Sequence, residues 1–127
     1  MFQGKAQLQY HTAWIIAKTD DELVEYYRWW FKRRFHHILS RPKFGAHISI
    51  VRGEEENITQ GAWEHNLSGA WIDFEYSNDL KIVYNYVWMP VWSPSFNDIR
   101  EKVGLSREPI KSFHMTVGRT DYNLLDF

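Results

Sequence analysis

Apolar and polar residues alternate along much of this chain, and the period of the alternation changes from stretch to stretch. Leu8 to Ala17 keeps a two-residue period and predicts a strand. Thr19-Asp20-Asp21-Glu22 then opens a helix, with Thr19 as N-cap and Glu22 completing a capping box. Leu23, Tyr27, Trp30, Phe31, Phe35 and Ile38 follow at helical spacing, which predicts one buried face running to about Leu39. Arg41-Pro42 ends it, because a residue before proline avoids the α region. Phe44 to Val51 returns to strand alternation, and the polar stretch 53–68, with Glu54-Glu55-Glu56, predicts a solvated loop.

The second half repeats the rhythm. Ala70 to Tyr76 alternates with Ile72, Phe74 and Tyr76 on its apolar face, Ser77-Asn78-Asp79 marks a turn, and Leu80 to Met89 predicts the returning strand of a hairpin. Pro94 to Val103 predicts a short helix stopped near Gly104, and Ser112 to Thr120 a last strand. The expected fold is therefore a single α+β domain of two related lobes, roughly 1–68 and 69–127. Each lobe holds antiparallel strands and one helix.

Two of these strands carry the same polar interruption. Ala46-His47-Ile48-Ser49-Ile50 and Phe113-His114-Met115-Thr116-Val117 each place a histidine two residues before a hydroxyl. Residues i and i+2 of a strand share a face, so His47 projects with Ser49 and His114 with Thr116, while their neighbours face the core. A lone histidine on a strand is ordinarily structural. Two copies with matching hydroxyls favour catalysis: a base, an acid and donors for phosphate oxygens are what phosphodiester cleavage without a metal needs. His47, Ser49, His114 and Thr116 are the candidate catalytic residues, and they belong on strands lying side by side.

Composition narrows the chemistry. The 127 residues contain no cysteine, which removes disulfides, thiolate metal sites and a cysteine nucleophile. No carboxylate cluster suits magnesium and no histidine spacing suits zinc, so neither metal nor cofactor is expected. A net charge of −1 argues against a duplex-DNA binder. No apolar run is long enough for a signal peptide or a membrane span, so a cytoplasmic location is expected. The charge is unevenly spread: Arg28, Lys32, Arg33, Arg34, Arg41, Lys43 and Arg52 fall between Tyr26 and Gly53 with no acid among them. That run is either a solvated helix face or an electropositive approach for a small anion.

The duplicated His-apolar-Ser/Thr motif, set in two similar halves, resembles the two-histidine phosphoesterase superfamily. The resemblance covers essentially the whole chain. It implies a bilobal fold with the active site in a central groove, and catalysis by His47, Ser49, His114 and Thr116. Superfamily members include RNA 2′,3′-cyclic phosphodiesterases. The segments Gln9-Tyr10-His11-Thr12-Ala13-Trp14 and Gly45 to Arg52 look most like phage members that destroy the cyclic oligonucleotide messengers of bacterial CBASS immunity. A phage origin would put the protein in the host cytoplasm. The partner implied is a small nucleotide or an RNA end.

Further candidates for substrate binding are weaker. Tyr10 shares a face with Thr12 and Trp14 and can either enter the groove or pack in the core. Trp71 stands with Asp73 and Glu75 on the polar face of its strand, as a base-stacking platform would. Trp63 is a looser candidate of that kind. Lys43 and Arg52 flank the first motif, and Tyr122 follows the second in a tail, Asp121 to Phe127, short for a lid. His36 and His37 suit a helix C-terminus, and His11 and His65 carry no assignment. Oligomeric state stays open.

Overall fold

The structure, a computed structural model, describes residues 1–11, 14–52 and 68–125. Among them the chain forms β1 (Phe2–His11), β2 (Trp14–Lys18), α1 (Asp21–Phe35), β3 (His47–Arg52), β4 (Trp71–Tyr76), β5 (Lys81–Val83), β6 (Tyr86–Trp92), α2 (Pro94–Lys102) and β7 (His114–Arg119). Every strand pairing is antiparallel, in the order β4-β1-β2-β3-β7-β6-β5. Glu75 and Tyr76 of β4 also pair with Trp92 and Val91 of β6, which closes six strands into a barrel and leaves β5 outside it. The α+β class is as expected. No helix among the described residues is long and apolar enough to cross a membrane.

Local signals explain most boundaries, and four readings need correction. The stretch from Leu8 to Ala17 is a hairpin rather than one strand: His11 pairs with Trp14 across residues 12–13. The N-cap of α1 is Asp20, whose side chain accepts from the Glu22 amide at 2.9 Å. Thr19 still belongs to the sheet, its amide donating to Ala46 O at 3.0 Å and its hydroxyl to the Met115 sulfur. Leu80 to Met89 is likewise two strands. The turn falls at Tyr84-Asn85, with Tyr84 at φ 57°, and β6 rather than β5 meets β4.

α1 stops short of Leu39 because His36 takes a left-handed conformation (φ 63°) and returns its amide to Lys32 O at 2.9 Å. The chain then runs back to the sheet, where Ser40 bridges Arg119 at the end of β7. Glycine is required at the crossing, since a Cβ on Gly118 would lie 2.5 Å from Ser40 O.

One core joins everything. Leu8, Ile15, Ala17, Ile48, Val51, Phe74, Val87, Met89, Met115 and Val117 of the strands pack with Val24, Tyr27 and Phe31 of α1 and with Phe96 and Ile99 of α2. Large side chains such as Phe31 and Phe96 are fully buried, each stabilising by about 1.5–3 kcal/mol. His47, Ser49, His114 and Thr116 alternate with the buried residues of β3 and β7 and point to the side opposite this core.

Candidate active site

β3 and β7 lie next to each other, with Ile48 facing Met115. Carrying that antiparallel register one residue each way sets His47 opposite Thr116 and Ser49 opposite His114. Each histidine thus faces the other motif's hydroxyl. Opposed Cβ atoms in such a pair are about 4.5–5.5 Å apart and diagonal ones about 7–8 Å, which is the relation of His47 to His114. Ile48 and Met115, fully buried between them, fix the face. All four motif side chains are half-buried on the side away from the core.

The two rings are oriented by the same device. His47 Nδ1 lies 2.9 Å from Gly45 O and His114 Nδ1 lies 3.0 Å from Ser112 O. A carbonyl only accepts, so each Nδ1 carries the hydrogen and each Nε2 is left to act as base or, once protonated, as acid. Gly45, at φ 74°, supplies the backbone turn that lets its carbonyl fold back toward His47.

A β-bulge adds the third participant. Ile15 pairs with Val51 and Ile16 with Ser49, so Ile50 is an extra residue with no partner on β2. Strict alternation would have put residue 52 on the core side with Ile48 and Ile50. The bulge turns Arg52 onto the histidine face, where its Nη2 lies 3.4 Å from both ring nitrogens of His114. The carbonyl of Ile50 is satisfied by buried Arg100, whose Nη1 donates to it at 3.0 Å. β7 has the matching irregularity: Val87 pairs with Gly118 and Trp88 with Thr116, leaving Val117 extra.

The electrostatics of the two histidines differ. Burial, followed by the charges of Arg52, Lys111 and His47, pushes the His114 pKa below its ordinary value, against the opposing effect of the hydrogen bond its Nδ1 donates to Ser112 O. Lys18 stands opposite His47 on β2, but its Nζ is engaged by Asp21 at 2.7 Å and by Ala46 O at 3.1 Å. Asp21 also accepts from the Ala46 amide, and this bond together with Lys18 lowers its pKa. Phe44 meets the His47 ring edge-on at 6.4 Å.

Open space adjoins His114. A cleft of about 530 Å³ is lined by Arg52, Val83, Tyr86, Trp88, Lys111, Ser112, His114 and Thr116. Trp88 meets the His114 ring at 5.4 Å. A smaller hollow of about 270 Å³, with Ser49, Arg52 and Lys111 in its wall, continues toward Ile110. Trp88, Tyr86 and Lys111 were not expected at the site. The available signal was the regular exchange of Tyr86, Trp88 and Trp92 with Val87, Met89 and Val91 along one strand.

The other candidates are scattered. Lys43 stacks its Nζ 5.4 Å from the Phe44 ring, one aromatic removed from His47. Tyr10 packs against the core, and its burial raises its pKa. Trp71 is 65% exposed and three strands from His47, about 14 Å along the sheet. It borders a separate cleft with Gln3, Lys5, Gln7, Lys18 and Tyr76. Tyr122 reaches His37, its hydroxyl 2.9 Å from Nδ1, and the tail is fastened by the Leu124 amide on Tyr84 O. In the basic run, Arg28 and Arg41 are both paired with Glu25, and Arg33 lies over Trp29. Thr12, Glu54 to Glu56, Trp63 and His65 lie outside the described residues.

No group of three or more histidine, aspartate or glutamate side chains among the described residues is arranged to hold a metal. No family model matches the chain, and no curated protein or solved structure matches it either.

Proposed function

We propose that the chain is a metal-independent phosphodiesterase of the two-histidine type. Its substrates are cyclic oligonucleotide messengers, cleaved at 3′–5′ linkages, and its biological role is evasion of CBASS immunity by a phage. The observation that carries this reading is the pairing of Ile48 with Met115, a register that sets His47 across from Thr116 and Ser49 across from His114, with each imidazole oriented through Nδ1 by a carbonyl two residues back. A hairpin, a helix and a bulged histidine strand occur in each half, as β1-β2-α1-β3 and β5-β6-α2-β7, which supports a bilobal arrangement around this groove.

The chemistry follows from the groups present. One neutral imidazole takes the proton of a ribose 2′-hydroxyl, the oxygen attacks the adjacent phosphorus, and the opposite imidazolium protonates the departing 5′ oxygen. The product is a 2′,3′-cyclic phosphate, which water opens with the roles reversed. Each proton transfer is worth about 10²–10⁴-fold. Ser49 and Thr116 donate to the nonbridging oxygens as charge develops, and Arg52 adds a fixed positive charge beside them. A small ligand also suits the net charge of −1 better than long RNA does.

The test is incubation in EDTA with cyclic dinucleotides, cyclic trinucleotides and RNA ending in a 2′,3′-cyclic phosphate, with products resolved by chromatography. Cleavage of the cyclic substrates is expected, while their 2′-deoxy analogues bind uncut. Activity confined to the RNA ends would replace this substrate with that one. Loss of all activity in EDTA, restored by a divalent metal, would overturn the mechanism.

A further inference from the structure

Resting on that reading, we infer that Asp21, at the start of α1, is a positioning residue of the site. Through the Gly45–Ala46 peptide it aims the carbonyl that holds the His47 ring, and so decides which imidazole nitrogen is left for the substrate. The carboxylate acts on a single peptide group rather than on the ring itself.

That peptide is held from both sides. Its N–H, on Ala46, donates to Asp21 Oδ1 at 2.8 Å, and its carbonyl, on Gly45, accepts from His47 Nδ1 at 2.9 Å. In a trans peptide the N–H and the C=O point in opposite directions, so fixing one fixes the other. Glycine makes the hold necessary. Gly45 stands at φ 74°, and a residue without a Cβ lets the peptide that follows it turn over at little cost. Turned over, the carbonyl would leave Nδ1 and the N–H would face it instead. A neutral ring would then carry its hydrogen on Nε2 and have no lone pair to offer there.

Asp21 is itself held in place. Lys18 Nζ donates to its Oδ1 at 2.7 Å and to Ala46 O at 3.1 Å, and the Thr19 amide donates to that same carbonyl at 3.0 Å. Both backbone groups of Ala46 are thereby engaged, which fixes the chain as it enters β3. The first turn of α1 is where a carboxylate is favoured by the exposed amides of the helix. The bond from the Ala46 amide is the largest cause of the lowered Asp21 pKa, so the group stays charged while it holds the peptide. The fit is close: a Cβ on Gly45 would stand 3.0 Å from Asp21 Oδ1 and 3.1 Å from Lys18 Nζ. A charged acceptor also polarises the peptide, making Gly45 O more negative and its bond with the Nδ1 hydrogen stronger. Asp21 and His47 thus form a carboxylate–imidazole pair with one peptide group between them.

The tautomer of neutral His47 reads this device directly. Proton–nitrogen correlation spectra of the imidazoles, recorded where the rings are neutral, are compared for wild type, Asp21→Ala and Asp21→Asn, together with kcat and KM on cyclic 3′–5′ diadenylate. Asp21→Asn keeps an oxygen for the Ala46 amide but loses the charge. In Asp21→Ala, His47 is expected to pass from an Nδ1–H ring to a mixture containing Nε2–H, while His114, held by Ser112 O, keeps its tautomer. Its kcat should fall by about 10–100-fold with KM within about twofold of wild type, the scale found where an outer partner orients a ligating imidazole. Asp21→Asn should fall between, and its partial shift decides the matter if circular dichroism shows that alanine disturbs folding. A His47 ring that stays Nδ1–H in the folded variants overturns the inference. So does a change in both histidines together, which would mark a general loss of structure. A wild type that leaves diadenylate uncut overturns the phosphodiesterase reading, and the spectra still judge Asp21.

Discussion

The guanidinium of Arg52, carried at the end of one histidine strand, lies 3.4 Å from both ring nitrogens of His114 on the other. Burial is the larger cause of the lowered His114 pKa and the Arg52 charge a smaller one. Arg52→Gln should therefore raise the pKa without restoring its ordinary value, read from the imidazole proton resonances across a pH series. The sign for stability follows. A histidine whose folded pKa is depressed binds fewer protons than in the unfolded chain, so this group favours folding above its ordinary pKa and penalises it as pH falls toward the folded value. Arg52→Gln should shrink that acid penalty. A pKa that fails to rise would mean that Arg52 does not act on the ring.

His47→Ala and His114→Ala should each slow cleavage by orders of magnitude with the fold retained, since both side chains sit outside the core cluster. The double variant should be little slower than the worse single one, because base and acid act as a unit. Ser49→Ala and Thr116→Ala should cost about 10²–10³-fold in kcat as lost donors to a charged transition state. Steady-state kinetics on one substrate checks all five. Wild-type turnover in either histidine variant would remove the site.

The histidine strands were legible because their signal is local: period-two alternation sets the face of His47 and Ser49 before any partner is known. Their adjacency followed from the duplicated pattern, and β3 does pair with β7. Arg52 flanks the first motif in sequence yet meets the histidine of the second, for a physical reason. Sequence position puts it near His47, whereas an antiparallel strand carries the chain away from its own motif and toward the end of its neighbour. The bulge at Ile50, which decides the face of Arg52, leaves no mark in composition, because an extra isoleucine reads as another core residue. Trp71 was drawn in by its polar-face position, a real feature of β4 that says nothing about which strands lie between it and His47.

That placement makes the two tryptophans separable. Trp88 touches the His114 ring and walls the adjoining cleft, whereas Trp71 stands three strands from His47. Trp88→Ala should weaken binding of an uncleavable 2′-deoxy cyclic dinucleotide by about 1–3 kcal/mol, the worth of one base stack. Trp71→Ala should leave the dissociation constant unchanged within error. Calorimetric titration of both variants checks this, and the reverse ranking would return Trp71 to the site.

The last prediction concerns what holds Arg52 on its face. Arg100 of α2 is only 3% exposed, and it donates to Ile50 O at 3.0 Å and to Ser106 O at 2.7 Å. Ile50 is the residue with no register partner on β2, and its carbonyl accepts from this guanidinium. Arg100→Met keeps the apolar stem of the side chain but removes these donors. Each orphaned buried carbonyl costs about 1–3 kcal/mol, so a clear fall in the thermal midpoint is expected. The consequence at the site is more specific. Without Arg100 the bulge is free to relax toward regular pairing, which would carry Arg52 away from His114, and the His114 pKa should rise as it does in Arg52→Gln. Thermal unfolding and the same proton titration, run on Arg100→Met, test the two halves separately. A destabilised variant with an unmoved His114 pKa would show that the bulge holds its shape without Arg100.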